Sequence, residues 1–168
     1  MSALVTSGSV ARVRAALAAH GLDDRIVELA ATARTATDAA AACGVPVGAI
    51  VKSLVFDLGG ALVLALVAGD RRCDTAALPA ILGLPGKAGR CDADRVRAVT
   101  GFAIGGVAPV GPLTALPTAI DASLARFPRL FAAAGHPYCV FATDLAELRA
   151  MTGGTLSDRL GVADDRPA

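Results

Sequence analysis

Two apolar runs joined by a pair of glycines limit the possible folds of this chain more than any other feature. Residues 49–58 are mostly apolar with several β-branched residues, Gly59-Gly60 can form a two-residue turn, and residues 61–67 are apolar throughout. A two-residue glycine turn is typical of a β-hairpin. A strand without polar alternation is buried on both of its faces. The pattern therefore predicts a buried β-hairpin at the centre of a sheet.

Helix signals flank this hairpin on both sides. Ser9 is placed to cap a first helix that runs to about His20, and Gly44 is placed to end a second one. Asp74 and Asp92 are placed to cap two short helices, and another capped helix is expected near the end. The predicted ranges are residues 37–43, 74–82, 92–99 and 143–151 for the later helices and 25–30 for a short strand. These elements interleave without a regular βαβ repeat, which predicts an α/β or α+β fold with helices packed on a mixed sheet.

Length, charge and cysteine content exclude several classes of protein. The 168 residues suit one globular domain over residues 1–168, without repeats or a linker. No apolar run approaches the roughly 20 residues of a membrane-spanning helix, and the N-terminus does not have the pattern of a signal peptide, so we expect a cytoplasmic protein. A net charge of +1 excludes a strongly basic surface, so any contact with RNA is local. The scattered cysteines predict reduced thiols and no metal site, at positions Cys43, Cys73, Cys91 and Cys139.

Lys52 is an unusual residue for its position. In an extended strand it shares a face with Ile50, Leu54 and Phe56. Burying an ammonium group without a partner costs several kcal/mol. Lys52 therefore either lies in a pocket that needs a cation or extends to solvent at the end of the sheet.

Residues 100–111 contain four glycines and a proline. Glycine permits close backbone approach and positive φ, so consecutive amides can converge on an anion, a carbonyl oxygen or a developing oxyanion. The pattern is neither a dinucleotide-binding fingerprint nor a phosphate-binding P-loop. A tight connector between two elements explains the same glycines equally well.

Together these motifs resemble the YbaK-type aminoacyl-tRNA deacylases and the editing domain of bacterial prolyl-tRNA synthetase. The similarity extends over roughly residues 35–151. Its two most specific elements are the lysine strand and the Gly-Gly-x-x-Pro-x-Gly loop. The residues that carry it are Thr35-Ala36, Ala39-Ala40, Gly44-Val45, residues 50–56, Ala68-Gly69-Asp70, Thr100-Gly101-Phe102, residues 105–111 and Ile120-Asp121.

The resemblance implies a mixed, mostly antiparallel sheet surrounded by helices, and ester hydrolysis without a metal or cofactor. It implies that Lys52 projects into a pocket opposite the glycine loop and acts by charge and positioning. Amides around Gly105, Gly106 and Gly111 are implied to bind an oxyanion or the substrate backbone, and the loop residues Gly101, Phe102 and Pro109 to contact the substrate.

Four further residues have two interpretations each. Thr35 and Ala36 either border an aminoacyl pocket or form the start of a helix. Asp121 either orients Lys52 and the loop or caps the segment that follows it. His136 lies either at the pocket mouth or in a surface turn.

The resemblance also implies a substrate and partners. The expected substrate is mischarged tRNA(Pro) bound by its 3′ acceptor end, with cysteine or alanine as the wrong amino acid and prolyl-tRNA synthetase as a partner. The aromatic residues that cysteine-specific relatives carry before the lysine strand are not clearly reproduced in residues 26–30, so serine, threonine or a small non-protein amino acid stay open. The alternative functions are a non-catalytic module that binds aminoacyl-tRNA or a synthetase, and a hydrolase for another activated amino-acid derivative.

Overall fold

A computed structural model describes residues 3–31 and 33–165. Within them lie helices α1 (Gly8–Ala19), α2 (Ala36–Cys43), α3 (Leu78–Leu82), α4 (Ala93–Thr100) and α5 (Leu145–Thr152). The strands are β1 (Ile26–Glu28), β2 (Ile50–Leu58), β3 (Ala61–Ala68), β4 (Arg71–Cys73), β5 (Ala88–Arg90), β6 (Thr118–Asp121), β7 (Leu130–His136), β8 (Cys139–Thr143), β9 (Thr155–Ser157) and β10 (Gly161–Ala163). No helix in the described ranges is long and apolar enough to cross a membrane.

The main sheet is mixed and mostly antiparallel. Its strand order is β1-β8-β7-β2-β3-β6-β9, with β5 also paired to β2, and a separate small sheet joins β4 to β10. The pairs β2–β7, β3–β6 and β6–β9 are parallel, and the other pairs are antiparallel. Both the predicted fold class and the central position of the β2–β3 hairpin are confirmed.

The two faces of the hairpin pack on different clusters of side chains. Val51 and Val55 contact the larger core, which also includes apolar residues of α1 and α4. Leu54 and Phe56 contact a smaller core beside α3. Every residue of β3 after Ala61 is buried, as expected for a central strand with no polar alternation.

Most predicted elements form where the sequence placed them, but two of the predicted caps are wrong. Ser7, not Ser9, caps α1, because the helix begins at Gly8 and the Ser7 hydroxyl accepts the amide of Val10 at 3.4 Å. Asp74 makes no side-chain cap, because its segment begins with a 3₁₀ turn over Thr75–Ala77 before α3. Asp92 caps α4 as predicted and accepts the amide of Arg95 at 2.9 Å.

The last helix starts later than its predicted range. Thr143 is the last residue of β8, and α5 begins after Asp144, whose carboxylate accepts the amide of Glu147 at 2.8 Å. An aspartate in extended backbone is a strong N-cap, so the helix starts after Asp144 rather than at Thr143.

Candidate active site

A gap in the main sheet lies beside a large cavity. On the side of β2 that faces away from β3, β7 pairs only with Ile50 and Val51, and β5 pairs only with residues 56–58. No described strand pairs with residues 52–55 on this side. A cavity of about 970 Å³ opens at the gap, lined by β2, β7, the start of α2, the start of α4 and part of residues 101–111. We call residues 101–111 the glycine segment.

Lys52 lines this cavity from β2. Its side chain is partly buried, and its ammonium group donates a hydrogen bond to the backbone carbonyl of Arg71. The alternation of side chains along β2 places Lys52 on the face that also carries Leu54 and Phe56. A cation whose stem lies among apolar side chains is therefore stabilised by a backbone dipole at its tip.

Ser53 projects from the opposite face of β2, the face of Val51 and Val55. It lines the cavity, and its hydroxyl oxygen is buried without a hydrogen-bond partner among the described residues. An unpaired buried hydroxyl costs about 1–3 kcal/mol. Ser53 was not among the site residues predicted from the sequence, although a polar residue between two inward-facing valines was a usable signal.

The glycine segment contributes Gly105 to the cavity, together with Ile104 and Val107. The amide of Gly105 makes no hydrogen bond within the described residues. The amide of Gly106, in contrast, donates to the carbonyl of Ala103 at 2.9 Å and closes a turn. Gly105 thus lines the cavity with an amide that has no described acceptor, whereas the Gly106 amide is already engaged.

Thr35 and Ala36 also line the cavity, at the start of α2. The Thr35 hydroxyl accepts the amide of Asp38 at 3.1 Å, and the Asp38 carboxylate accepts the amide of Thr35 at 3.2 Å. The hydroxyl and backbone hydrogen bonds from Thr35 lower the pKa of Asp38. Thr35 therefore both caps the helix and borders the cavity.

The remaining predicted site residues lie outside this cavity. Phe102 is fully buried in the larger core, and Pro109 and Gly111 line a separate cavity of about 130 Å³. Gly101 ends α4, and its amide donates to the carbonyl of Arg97 at 2.8 Å.

Asp121 and His136 make structural contacts beside the site. The Asp121 carboxylate is buried and accepts the amides of Ala68 at 3.0 Å and Ser123 at 2.8 Å, which ties β6 to β3 and to the turn that follows. His136 Nδ1 accepts the amide of Tyr138 at 3.2 Å, and the neighbouring Pro137 is the residue that lines the cavity.

Arginines give the cavity a positive rim. Arg34 and Arg90 line it and are exposed, and no described carboxylate lies within ion-pair distance of either. Asp92 is the one acidic residue among the described lining residues. Arg34 and Arg90 were not predicted from the sequence, because nothing local distinguishes them from other exposed arginines.

The thiols near the site are poor nucleophiles. Burial raises the pKa of the Cys73 thiol to about 11, Asp74 raises it further, and the nearby Lys52 charge opposes the shift. Burial also raises the pKa of Cys91, which lines the cavity. Both thiols are therefore protonated at neutral pH. Within the described residues no group of histidine, cysteine and acidic side chains could hold a metal ion.

Several solved structures share this fold. A protein proposed to be a trans-editing enzyme for prolyl-tRNA synthetase is 42% identical, with a TM-score of 0.84, and the match covers 94% of this chain and 99% of that one. A scaffold used for computational epitope grafting is 40% identical, with the same TM-score and coverage. A hypothetical protein is 26% identical, with a TM-score of 0.78 and coverage of 90% and 99%.

The sequence itself identifies the family. The aminoacyl-tRNA editing domain model matches residues 30–151, and the chain therefore belongs to the aminoacyl-tRNA editing domain family. No functionally curated protein matches the chain. The resemblance seen in the lysine strand and the glycine loop is confirmed.

Proposed function

We propose that the chain acts as a single-domain, trans-acting deacylase that hydrolyses the ester of mischarged aminoacyl-tRNA. The observation that carries this proposal is the open cavity of a family editing domain, with Lys52, Ser53 and Gly105 all on its lining. The proposed substrate is tRNA(Pro) carrying cysteine or alanine, and the relative proposed as a trans-editing enzyme for prolyl-tRNA synthetase supports the choice of the tRNA. Prolyl-tRNA synthetase is the proposed partner.

The reaction needs no protein nucleophile. An aminoacyl ester is already activated, so a water molecule can attack the carbonyl carbon once it is positioned, and a ribose hydroxyl of the substrate can orient that water. The bond between the carbonyl carbon and the ribose oxygen then breaks, and the ribose oxygen takes up the proton that the attacking water gives up, which releases the free amino acid and the tRNA. The protonated states of Cys73 and Cys91 agree with a reaction that uses neither thiol.

The polar groups of the cavity have distinct proposed roles. The Gly105 amide donates to the carbonyl oxygen as negative charge develops on it. Lys52, on the face of β2 opposite to Ser53, supplies positive charge. Its hydrogen bond to the Arg71 carbonyl fixes its ammonium group. The Ser53 hydroxyl gains in the substrate the hydrogen-bond partner that the described residues do not give it.

The arginine rim is proposed to bind the RNA. A net charge of +1 leaves little general attraction for RNA, so a few local contacts must position the acceptor end. Arg34 and Arg90 stand exposed at the cavity with no described acidic partner, and guanidinium groups bind phosphate well. An RNA phosphate near the ester would then contact Arg34 and Arg90.

The proposal is tested by deacylation of tRNA(Pro) charged separately with alanine, cysteine, serine, threonine and proline. We expect rapid loss of one mischarged species and no loss of prolyl-tRNA. Lys52→Ala should lower kcat/KM at least about 100-fold, as for the removal of one strong electrostatic interaction with the transition state. Lys87→Ala is the matched control, because Lys87 is the other lysine of the chain and is exposed outside the cavity.

Two outcomes would contradict the proposal. Tight binding of the charged tRNAs without hydrolysis would favour the non-catalytic module. Hydrolysis of aminoacyl esters that uncharged tRNA does not inhibit would favour a hydrolase for small activated amino acids.

A further inference from the structure

Helix α1 lies outside the residues that the family model matches, yet one of its side chains holds the glycine segment. Arg12 Nη2 donates a hydrogen bond to the carbonyl of Gly101 at 2.7 Å. The Arg12 guanidinium carbon lies 5.4 Å from the centre of the Phe102 ring, within cation–π range. Arg12 does not line the cavity, so it contacts the glycine segment outside the cavity.

Arg12 also packs closely against both ends of the segment, which are glycines. Gly101 and Gly111 have φ values of 77° and 75°, in the left-handed region that disfavours other residues. A Cβ at Gly101 would collide with the Arg12 guanidinium group, and a Cβ at Gly111 would lie 2.8 Å from the Arg12 carbonyl oxygen. Both ends of the glycine segment therefore lie against the same residue of α1, Arg12.

The part of the segment between these two ends contributes to the cavity wall. Ile104, Gly105 and Val107 line the cavity, and the Gly105 amide is the donor proposed for the carbonyl oxygen. The position of that amide depends on where the ends are fixed. A displacement of about 1 Å in a catalytic group can cost on the order of 100-fold in rate.

We propose that Arg12 is a positioning residue of the active site, which fixes the glycine segment against α1 and so sets the position of the Gly105 amide. The inference rests on the proposed deacylase function for its effect on rate. The anchoring of residues 101–111 by Arg12 is a structural property and can be measured without any substrate.

The test compares Arg12→Met, Arg12→Lys and Arg14→Met. Arg14 is the matched control because it lies on the same helix and contacts Asp24 and the carbonyl of Val5 rather than the glycine segment. The first measurement is amide hydrogen exchange. Arg12→Met should speed exchange at least about tenfold within residues 101–111 and leave β2 and β3 unchanged, whereas Arg14→Met should leave the segment unchanged.

The second measurement is the deacylation rate on the tRNA species that the wild-type protein hydrolyses, well below the melting temperature of each variant. Arg12→Met should lower kcat about 10- to 100-fold with a smaller change in KM. Arg12→Lys should recover part of the lost kcat, because lysine keeps one donor for the Gly101 carbonyl. Unchanged exchange in the segment would overturn the proposal whatever the activity. Faster local exchange with an unchanged kcat would overturn its catalytic half. An inactive wild type would instead refute the proposed function and leave the anchoring to be decided by exchange.

Discussion

At the scale of one residue, Ser53 carries a hydroxyl that costs stability in the wall of the candidate site. Its hydroxyl is buried in the cavity wall without a partner among the described residues, although a methyl group would suit this apolar face of β2 better. A fold selected for stability alone has no reason to keep this hydroxyl. Sites that bind polar groups commonly accept that cost, because the substrate supplies the missing hydrogen bond.

We therefore expect Ser53→Ala to have opposite effects on stability and activity. Unfolding in urea should give a free energy about 1 kcal/mol higher, because an unpaired buried hydroxyl is removed. The value of kcat/KM for deacylation should fall about tenfold, which corresponds to the removal of one hydrogen bond. Ser157→Ala serves as the control, since Ser157 lies in β9 and does not line the cavity. A Ser53→Ala protein with full activity would remove Ser53 from the proposed mechanism.

Cys73 gives a second prediction at this scale, on alkaline stability. Burial raises its pKa from 9.0 to about 11 in the folded protein, so the unfolded chain loses this proton first as the pH rises. The free energy of unfolding should then fall between pH 9 and pH 11 by more in the wild type than in Cys73→Ala. Urea unfolding at several pH values measures the difference. Parallel curves for the two proteins would show that the thiol has no such linkage.

At the scale of the element, the residues at the start of α2 both cap the helix and line the candidate site. Thr35 caps the helix with a reciprocal pair of hydrogen bonds to Asp38, and the same residue borders the cavity. The start of the helix and the cavity wall are therefore fixed by the same contacts.

Thr35→Ala should lower the free energy of unfolding by about 1 kcal/mol, the usual effect of removing an N-cap. Thr35→Ser keeps the capping oxygen and should retain nearly all of that stability. Thermal unfolding of both variants measures the cap, and deacylation assays on both show whether the methyl group of Thr35 contacts the substrate. Equal destabilisation by serine and alanine would mean that the methyl group, not the cap, stabilises α2.

The elements also show which parts of the fold follow from sequence. The β2–β3 hairpin could be predicted because its signals, two apolar runs and a glycine turn, are adjacent in the chain. The gap along residues 52–55 could not, because it depends on where β5 and β7 stop pairing with β2. Those strands lie some distance away in sequence, so no local pattern reports their register. Lys52 was selected by its unusual local pattern, whereas Arg34 and Arg90 become notable only once the cavity brings them together.

At the scale of the whole molecule, the distribution of charge matters more than its total. A net charge of +1 predicts weak general attraction for RNA, and the exposed Arg34 and Arg90 concentrate positive charge at the cavity. If these arginines bind phosphates of the acceptor end, their removal should weaken binding of tRNA and leave the chemistry of the ester unchanged. Their effect should also depend on salt, because each bound phosphate releases counterions.

The double variant Arg34→Gln/Arg90→Gln should therefore raise KM for mischarged tRNA about tenfold at low salt with little change in kcat. The slope of log affinity against log salt should become shallower by about 0.7 for each phosphate that the variant no longer binds. Arg149→Gln/Arg159→Gln is the control, because both residues are exposed, neither lines either of the two cavities, and the net charge changes equally. A minimal substrate, the amino acid esterified to adenosine, should be hydrolysed equally well by all three proteins. Equal KM increases in both double variants would assign the effect to total charge, and a defect of the rim variant on the minimal substrate would place the arginines at the ester instead of the phosphates.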